Sequence, residues 1–238
     1  MGRTELLTKR TCWKCGAEIE SLSLCDRCAA LQPIPAEADY FTLFHLGAQL
    51  KIDLPQLQAK FYELSRAFHP DFYQKKSAEE QAISLENSAI VNKAYRTLRD
   101  PVQRAEYLIQ RVEGGGAIST EAPADLFDEI FEVQELLEEA KEVPSDPAER
   151  DRLLRALREA QVKFEARQEE GRQALDQFSS EWDRLQDARH NPGDADLSEE
   201  QKRILAEIKR ILSHRGYLER VIDNLEAGIE KLKGEKGT

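Results

Sequence analysis

All 4 cysteines of this 238-residue chain lie between Cys12 and Cys28, as two Cys-x-x-Cys pairs: Cys12-Trp13-Lys14-Cys15 and Cys25-Asp26-Arg27-Cys28. Two such pairs can present four thiolates to one tetrahedral ion. Gly16, straight after Cys15, suits the tight turn of a metal knuckle, where a positive φ is cheap only for glycine. Two disulfides or four free thiols are the other states open to the set; without a secretory signal, a metal clip is expected. Structural zinc is the expected ion, with mononuclear iron or a redox site as the alternative. Residues 1–35 can bury little core, and a metal clip substitutes for one. A second group is His69-Pro70-Asp71, an imidazole and a carboxylate around a rigid ring. Alone it is a weak signal, because a proline turn between helices uses the same residues. His45, His190 and His214 have no partners at catalytic or ligand spacing. The chain also shows no Gly-rich phosphate loop.

Composition frames both groups. Charged residues make up 33% and hydrophobic residues 40%, with 12 glycines and 9 prolines. Long Glu/Lys/Arg/Ala/Leu-rich stretches predict a mostly helical protein. The net charge of -11 argues against general nucleic-acid binding, which needs excess Lys and Arg. No apolar run approaches the roughly 20 residues that span a bilayer, and Met1–Arg10 has no apolar signal core. A soluble protein of a bacterial-type cytoplasm is expected.

The elements that must position these groups are legible from periodicity and punctuation. Pro33 and Pro35 end the clip, and a short amphipathic piece runs from Asp39 to Phe44. A helix opens after Asp53, an N-cap with Pro55 in the first turn. Leu57, Phe61, Leu64 and Phe68 form its stripe, with Lys60, Tyr62 and Arg66 off it. Pro70 breaks this helix, and a second runs from about Ser77 to Leu98 with Ile83, Ile90, Ala94 and Leu98 on its stripe. Asp100-Pro101 ends it, and Arg104–Ile109 forms a short further helix. Two antiparallel helices would thus hold His69-Pro70-Asp71 in the loop between them. Gly114-Gly115-Gly116 is a flexible break. Helices at 124–142, 147–190 and 198–233 follow, punctuated by Pro144, Pro147 and Asn191-Pro192-Gly193. The second carries a seam of Leu157, Phe164, Gly171, Leu175, Phe178, Trp182 and Leu185. The third carries Ile204, Ile208, Ile211, Leu218, Ile222, Leu225 and Ile229. The expected fold is all-α, with a metal clip (1–35), a helical hairpin domain (36–112), a linker (113–123) and an antiparallel three-helix bundle (124–238).

His69-Pro70-Asp71 between these helices resembles the J-domain family, together with Tyr40-Phe41, Asn92-Lys93-Ala94-Tyr95 and Leu98-Arg99-Asp100-Pro101. The resemblance implies that the loop docks on an ATP-driven chaperone of the DnaK/HscA class and promotes its ATP hydrolysis. The chain itself would then be no enzyme. His69, Pro70 and Asp71 are the implied contacts. Lys60 and Arg66, and more loosely Lys75 and Lys76, would face an acidic partner surface. Asp39-Tyr40-Phe41-Thr42-Leu43-Phe44, Tyr95-Arg96-Thr97-Leu98 and Arg104-Ala105-Glu106-Tyr107-Leu108 look like the HscB branch, over about residues 39 to 235. Members of that branch deliver the iron–sulfur scaffold IscU to HscA. A four-cysteine extension is familiar from mitochondrial members, so the matrix is the expected compartment in a eukaryote.

In the helix at 124–142, Leu126, Ile130, Val133 and Leu137 share one stripe, which must face the core. At about 100° per residue, Phe127 and Phe131 fall off that stripe, beside Asp128 and Glu132 and running into Glu135 and Glu139. Large aromatics among acids mark a protein-binding patch, unless they pack on the hairpin domain or the next helix. Tyr217 is expected opposite the seam of Leu218, Ile222 and Leu225. The HscB resemblance assigns scaffold binding to Phe127, Phe131, Glu132, Glu135, Glu139 and Tyr217, with Asp128 where an apolar residue is expected. A J-protein adaptor for other clients, its acidic bundle a docking or homodimer surface, is the alternative.

Overall fold

The computed structural model describes residues 10–19, 24–115, 118, 126–187 and 197–234, through which seven α-helices and one small sheet run. Gly116, His190 and the Asn191-Pro192-Gly193 turn lie outside the described residues. The chain is mostly helical, and the clip adds β1 (Arg10–Thr11) antiparallel to β2 (Glu18–Ile19), with Arg10 opposite Ile19. No helix among the described residues is long and apolar enough to cross a membrane.

Short polar side chains start the helices. Asp39 opens α1 (Tyr40–Leu43) by accepting the Phe41 N–H at 3.2 Å. Asp53 opens α2 (Leu54–Phe68) by accepting the Gln56 N–H at 3.1 Å. The helix stops where His69 turns extended ahead of Pro70. A 3-10 turn, Pro70–Phe72, leads to α3 (Ala78–Arg99), which Ser77 caps through the Glu80 N–H. Asp100 accepts the Gln103 N–H at 2.8 Å and starts α4 (Pro101–Glu113).

The described residues form two compact units, one falling within 1–112 and 179–202 and the other within 113–178 and 203–238. In the first, α2 and α3 run antiparallel, with Phe61 stacked on Tyr95 at 4.1 Å between centroids. The α3 seam departs from expectation. Ile83 and Ile90 are half-buried, and the buried line is Glu80, Ser84, Asn87, Val91, Ala94 and Leu98. Its spacing is helical, but its first half is polar. The last turns of α6 (Pro147–Asp187) belong to this unit. Trp182 is fully buried and donates its indole N–H to the Ala48 carbonyl at 3.0 Å. The Asp183 carboxylate accepts the Leu50 and Lys51 N–H groups at 2.6 and 2.7 Å, while Arg104 Nε donates to the Leu50 carbonyl at 2.7 Å. Burial pushes Asp183 above the usual carboxylate range and lowers Arg104.

The second unit is an antiparallel three-helix bundle of α5 (Phe127–Glu139), the rest of α6, and α7 (Glu199–Gly234) from Arg203 onward. Glu129 pairs with Lys163 and Arg167, and Glu139 with Arg152, so α5 and α6 run in opposite senses. Leu126, Ile130, Val133, Leu157, Phe164 and Leu225 are part of its core.

Candidate functional site

The two Cys-x-x-Cys pairs fold as two copies of one turn. In the first, the Cys12 N–H donates to the Ala17 carbonyl at 2.8 Å and the Gly16 N–H to the Cys12 carbonyl at 2.9 Å. In the second, the Cys25 N–H donates to the Ala30 carbonyl at 2.9 Å and the Ala29 N–H to the Cys25 carbonyl at 2.8 Å. The residue after each second cysteine is left-handed, Gly16 at φ 67° and Ala29 at φ 53°. Glycine does this freely, whereas an L-residue loses ~1–2 kcal/mol.

These turns bring the four sulfurs within 4.8 Å of one another. Cys12 and Cys28 Sγ are 3.7 Å apart, and so are Cys15 and Cys25 Sγ. That is far beyond a disulfide bond of ~2.05 Å. It matches the edge, about 3.8 Å, of a tetrahedron with sulfurs ~2.3 Å from a central zinc. The cysteines are free and placed to hold a metal ion, and soft thiolates suit zinc or iron over a hard cation. Burial opposes ionisation of Cys12, but the Cys15 and Lys14 N–H groups and the thiols of Cys28 and Cys15 bring it down to about 6. Cys28 gains from the Ala30 N–H, but burial and the neighbouring thiols drive it up to about 12. Cys12 ionises readily, whereas Cys28 needs a cation beside it to do so. Gln32, missed in the sequence reading, is buried and donates Nε2–H to Cys12 Sγ at 3.4 Å.

The His69 loop is held from behind. Ser84 and Ser88 on α3 both donate their hydroxyls to the Phe68 carbonyl, at 2.7 and 2.8 Å. They satisfy a helix-end acceptor that has no intrahelical partner. The Tyr73 hydroxyl donates to the Ala67 carbonyl at 2.8 Å. Ahead of this anchor, the Phe72 N–H donates to the His69 carbonyl at 3.0 Å and the Tyr73 N–H to the Pro70 carbonyl at 2.9 Å. His69 Nδ1 accepts the Asp71 N–H at 3.3 Å, which leaves the proton of a neutral ring on Nε2. The His69 and Asp71 side chains are 53% and 70% exposed. Phe72, which the motif reading did not include, is 64% exposed beside them. Lys60 pairs with Glu63 at 3.0 Å, whereas Arg66, Lys75 and Lys76 are exposed.

On α5, Phe127 and Phe131 are 65% and 57% exposed, so they do not pack on a neighbouring helix. Asp128, Glu132 and Glu135 are exposed around them, and Glu139 is paired with Arg152 at 3.2 Å. Tyr217 sits differently from expectation. It is half-buried against the bundle core, with the Arg220 guanidinium 5.6 Å from its ring centroid. Val221 and Leu225, one and two turns on, are buried, so the apolar stripe is wide enough to include Tyr217.

No protein-family model matches the chain. The mouse and human iron-sulfur cluster co-chaperone protein HscB are 35% and 34% identical over 136 residues, which are 55% of this chain and 58% of each relative. The Arabidopsis thaliana HscB homolog is 35% identical over 136 residues, 56% of this chain and 53% of the plant protein. The chain thus spans little more than half the length of the curated relatives it matches. The crystal structure of human co-chaperone protein HscB is similar with a TM-score of 0.64 at 27% identity, covering 92% of this chain and 98% of that one. Sequence and fold thus make this chain similar to the HscB co-chaperones. In this HscB-like chain the clip and the His69 loop share one compact unit, and the Phe127–Phe131 face lies in the other.

Proposed function

We propose that this chain stimulates ATP hydrolysis by a chaperone of the DnaK/HscA class and delivers to it an IscU-type iron–sulfur scaffold. The His69-Pro70-Asp71 turn carries the reading. Its ring and carboxylate face solvent while bonds from Ser84, Ser88 and Tyr73 fix the helix end behind them. Such a loop can dock without reorganising the core, and Arg66 with Lys60 supplies positive charge for an acidic partner. The relatives' name, iron-sulfur cluster co-chaperone, supports the client class. Phe127 and Phe131 then anchor the scaffold, ringed by Glu132, Glu135 and Glu139, with Tyr217 offering what its half-buried ring leaves open. Cys12, Cys15, Cys25 and Cys28 hold a structural zinc. The chain is an activator with no catalytic site of its own, working in a bacterial cytoplasm or, in a eukaryote, the mitochondrial matrix.

Single-turnover ATP hydrolysis by a purified HscA-class chaperone tests this, with wild type and His69→Gln, each with and without scaffold. Stimulation that needs His69 and rises synergistically with scaffold is expected. Stimulation that ignores scaffold would leave a J-protein serving other clients. No stimulation of HscA-class or DnaK-class chaperones would overturn the proposal.

A further inference from the structure

Asn87 on α3 is fully buried and bonds the chain leaving the clip on two sides. Its Oδ1 accepts the Ile34 N–H at 2.9 Å and its Nδ2 donates to the Gln32 carbonyl at 2.8 Å. Gln32 turns back from there and donates Nε2–H to Cys12 Sγ at 3.4 Å and to the Ala30 carbonyl at 2.8 Å. Three residues before Asn87 and one after it, Ser84 and Ser88 hold the Phe68 carbonyl next to His69. A turn earlier still, buried Glu80 pairs with Lys14 of the first knuckle at 3.6 Å. One short stretch of α3 is thus bonded to a thiol of the clip, through Gln32, and to the residue that precedes the loop.

We propose that Gln32 and Asn87 are positioning residues that transmit metal occupancy of the four-thiolate site to the His69 loop. An apolar contact in place of Asn87 would leave α3 largely indifferent to the clip. A buried amide is satisfied only while Gln32–Ile34 stays seated, and each bond left unmade in the core is unfavourable. With the ion bound, Cys12 is fixed, Gln32 keeps its bond to the sulfur and Asn87 is fully paired. When the ion leaves, the four sulfurs lose the centre that holds the two knuckles together, and the clip is released. Asn87 then regains partners only by opening the first turns of α3 to water. Those turns carry Ser84 and Ser88, so the hold on Phe68 slackens and His69 loses its fixed base. Coupling of this kind is reciprocal: a partner that immobilises the loop tightens the metal by the same factor.

The inference rests on the zinc and loop readings above, but its readout is amide hydrogen exchange of the full-length protein, with zinc content measured separately. Its failure is therefore distinguishable from theirs. In wild type, chelating zinc should speed exchange at residues 66–76 about tenfold, a mid-range coupling, together with 10–34, and leave α5 unchanged. In Asn87→Ala, residues 66–76 should exchange fast with or without zinc. Gln32→Ala, which keeps the Asn87 bonds to backbone and removes only the link to Cys12, should blunt the zinc response and decides the matter if Asn87→Ala does not fold. An unchanged loop on zinc removal, a full wild-type response in the folded variants, or loss of protection in α5 along with the loop would each overturn the proposal.

Discussion

At Ala29 the backbone adopts a conformation that favours glycine, and the sequence supplies a methyl group instead. The first knuckle's turn was legible because Gly16 follows Cys15; the matching turn after Cys28 was not, because alanine carries no such signal. Ala29 is exposed, so Ala29→Gly removes the left-handed penalty of ~1–2 kcal/mol without opening a cavity, against glycine's entropic loss of ~0.5–1 kcal/mol. The variant should therefore hold zinc more tightly by roughly 0.5–1 kcal/mol, read by competition with a chromogenic chelator. The aromatics of α5 were legible for a different reason: a core stripe leaves no inward place for Phe127 and Phe131. Phe131→Ala should weaken scaffold binding by ~2 kcal/mol or more, as truncation of an interface anchor does, and leave the thermal midpoint nearly unchanged because the ring is 57% exposed. Calorimetric titration and a melting curve check the two halves. A lowered midpoint with unchanged binding would return Phe131 to a structural role.

Helix α3 shows why periodicity located an element yet misread its contents. Counting apolar residues chose Ile83 and Ile90, whereas the buried line passes through Glu80, Ser84 and Asn87. Each of those side chains is buried because it has a partner outside the helix, and one-dimensional apolar patterning contains no partners. The available sign was the regular return of small polar residues in register with Val91, Ala94 and Leu98. Since Ser84 and Ser88 share one acceptor, their removal should be non-additive. Ser84→Ala or Ser88→Ala alone should have a small effect, because the other hydroxyl still bonds the Phe68 carbonyl. The double variant leaves that buried carbonyl bare and should lose ~1–3 kcal/mol in urea denaturation. Helix α6 offers the opposite sign. Gly171 lies in its interior, and an added Cβ would meet only Ile211 at 3.9 Å, ordinary contact. Gly171→Ala should stabilise the protein by ~0.8–1 kcal/mol, the helix-propensity difference, read in the same titration.

At the level of the whole molecule, the division into units does not follow helix boundaries. The α6 seam from Leu157 to Leu185 is continuous in sequence, so nothing in it marks where its neighbours change. Residues 179–187 nevertheless belong to the first unit, because Trp182 and Asp183 bond the backbone at Ala48, Leu50 and Lys51. Those acceptors and donors are main-chain groups, which a sequence cannot advertise. Asp183 makes the attachment testable by pH. Burial raises its folded pKa above the unfolded value of 3.8, so between the two the folded state binds more protons. Its contribution to stability is thus fullest below pH 3.8 and falls as pH rises through the raised value. Asp183→Asn keeps one acceptor for the paired Leu50 and Lys51 N–H groups and should lose ~1–2 kcal/mol. Its deficit relative to wild type should be largest at low pH and shrink as pH rises, because only wild type loses stability by ionising there. Denaturation of both proteins from pH 3.5 to 6 gives the difference directly, and loss of zinc in acid, common to both, cancels from it. A deficit that instead grows with pH would mean that the two N–H bonds and Arg104 outweigh burial, with Asp183 titrating below its unfolded value.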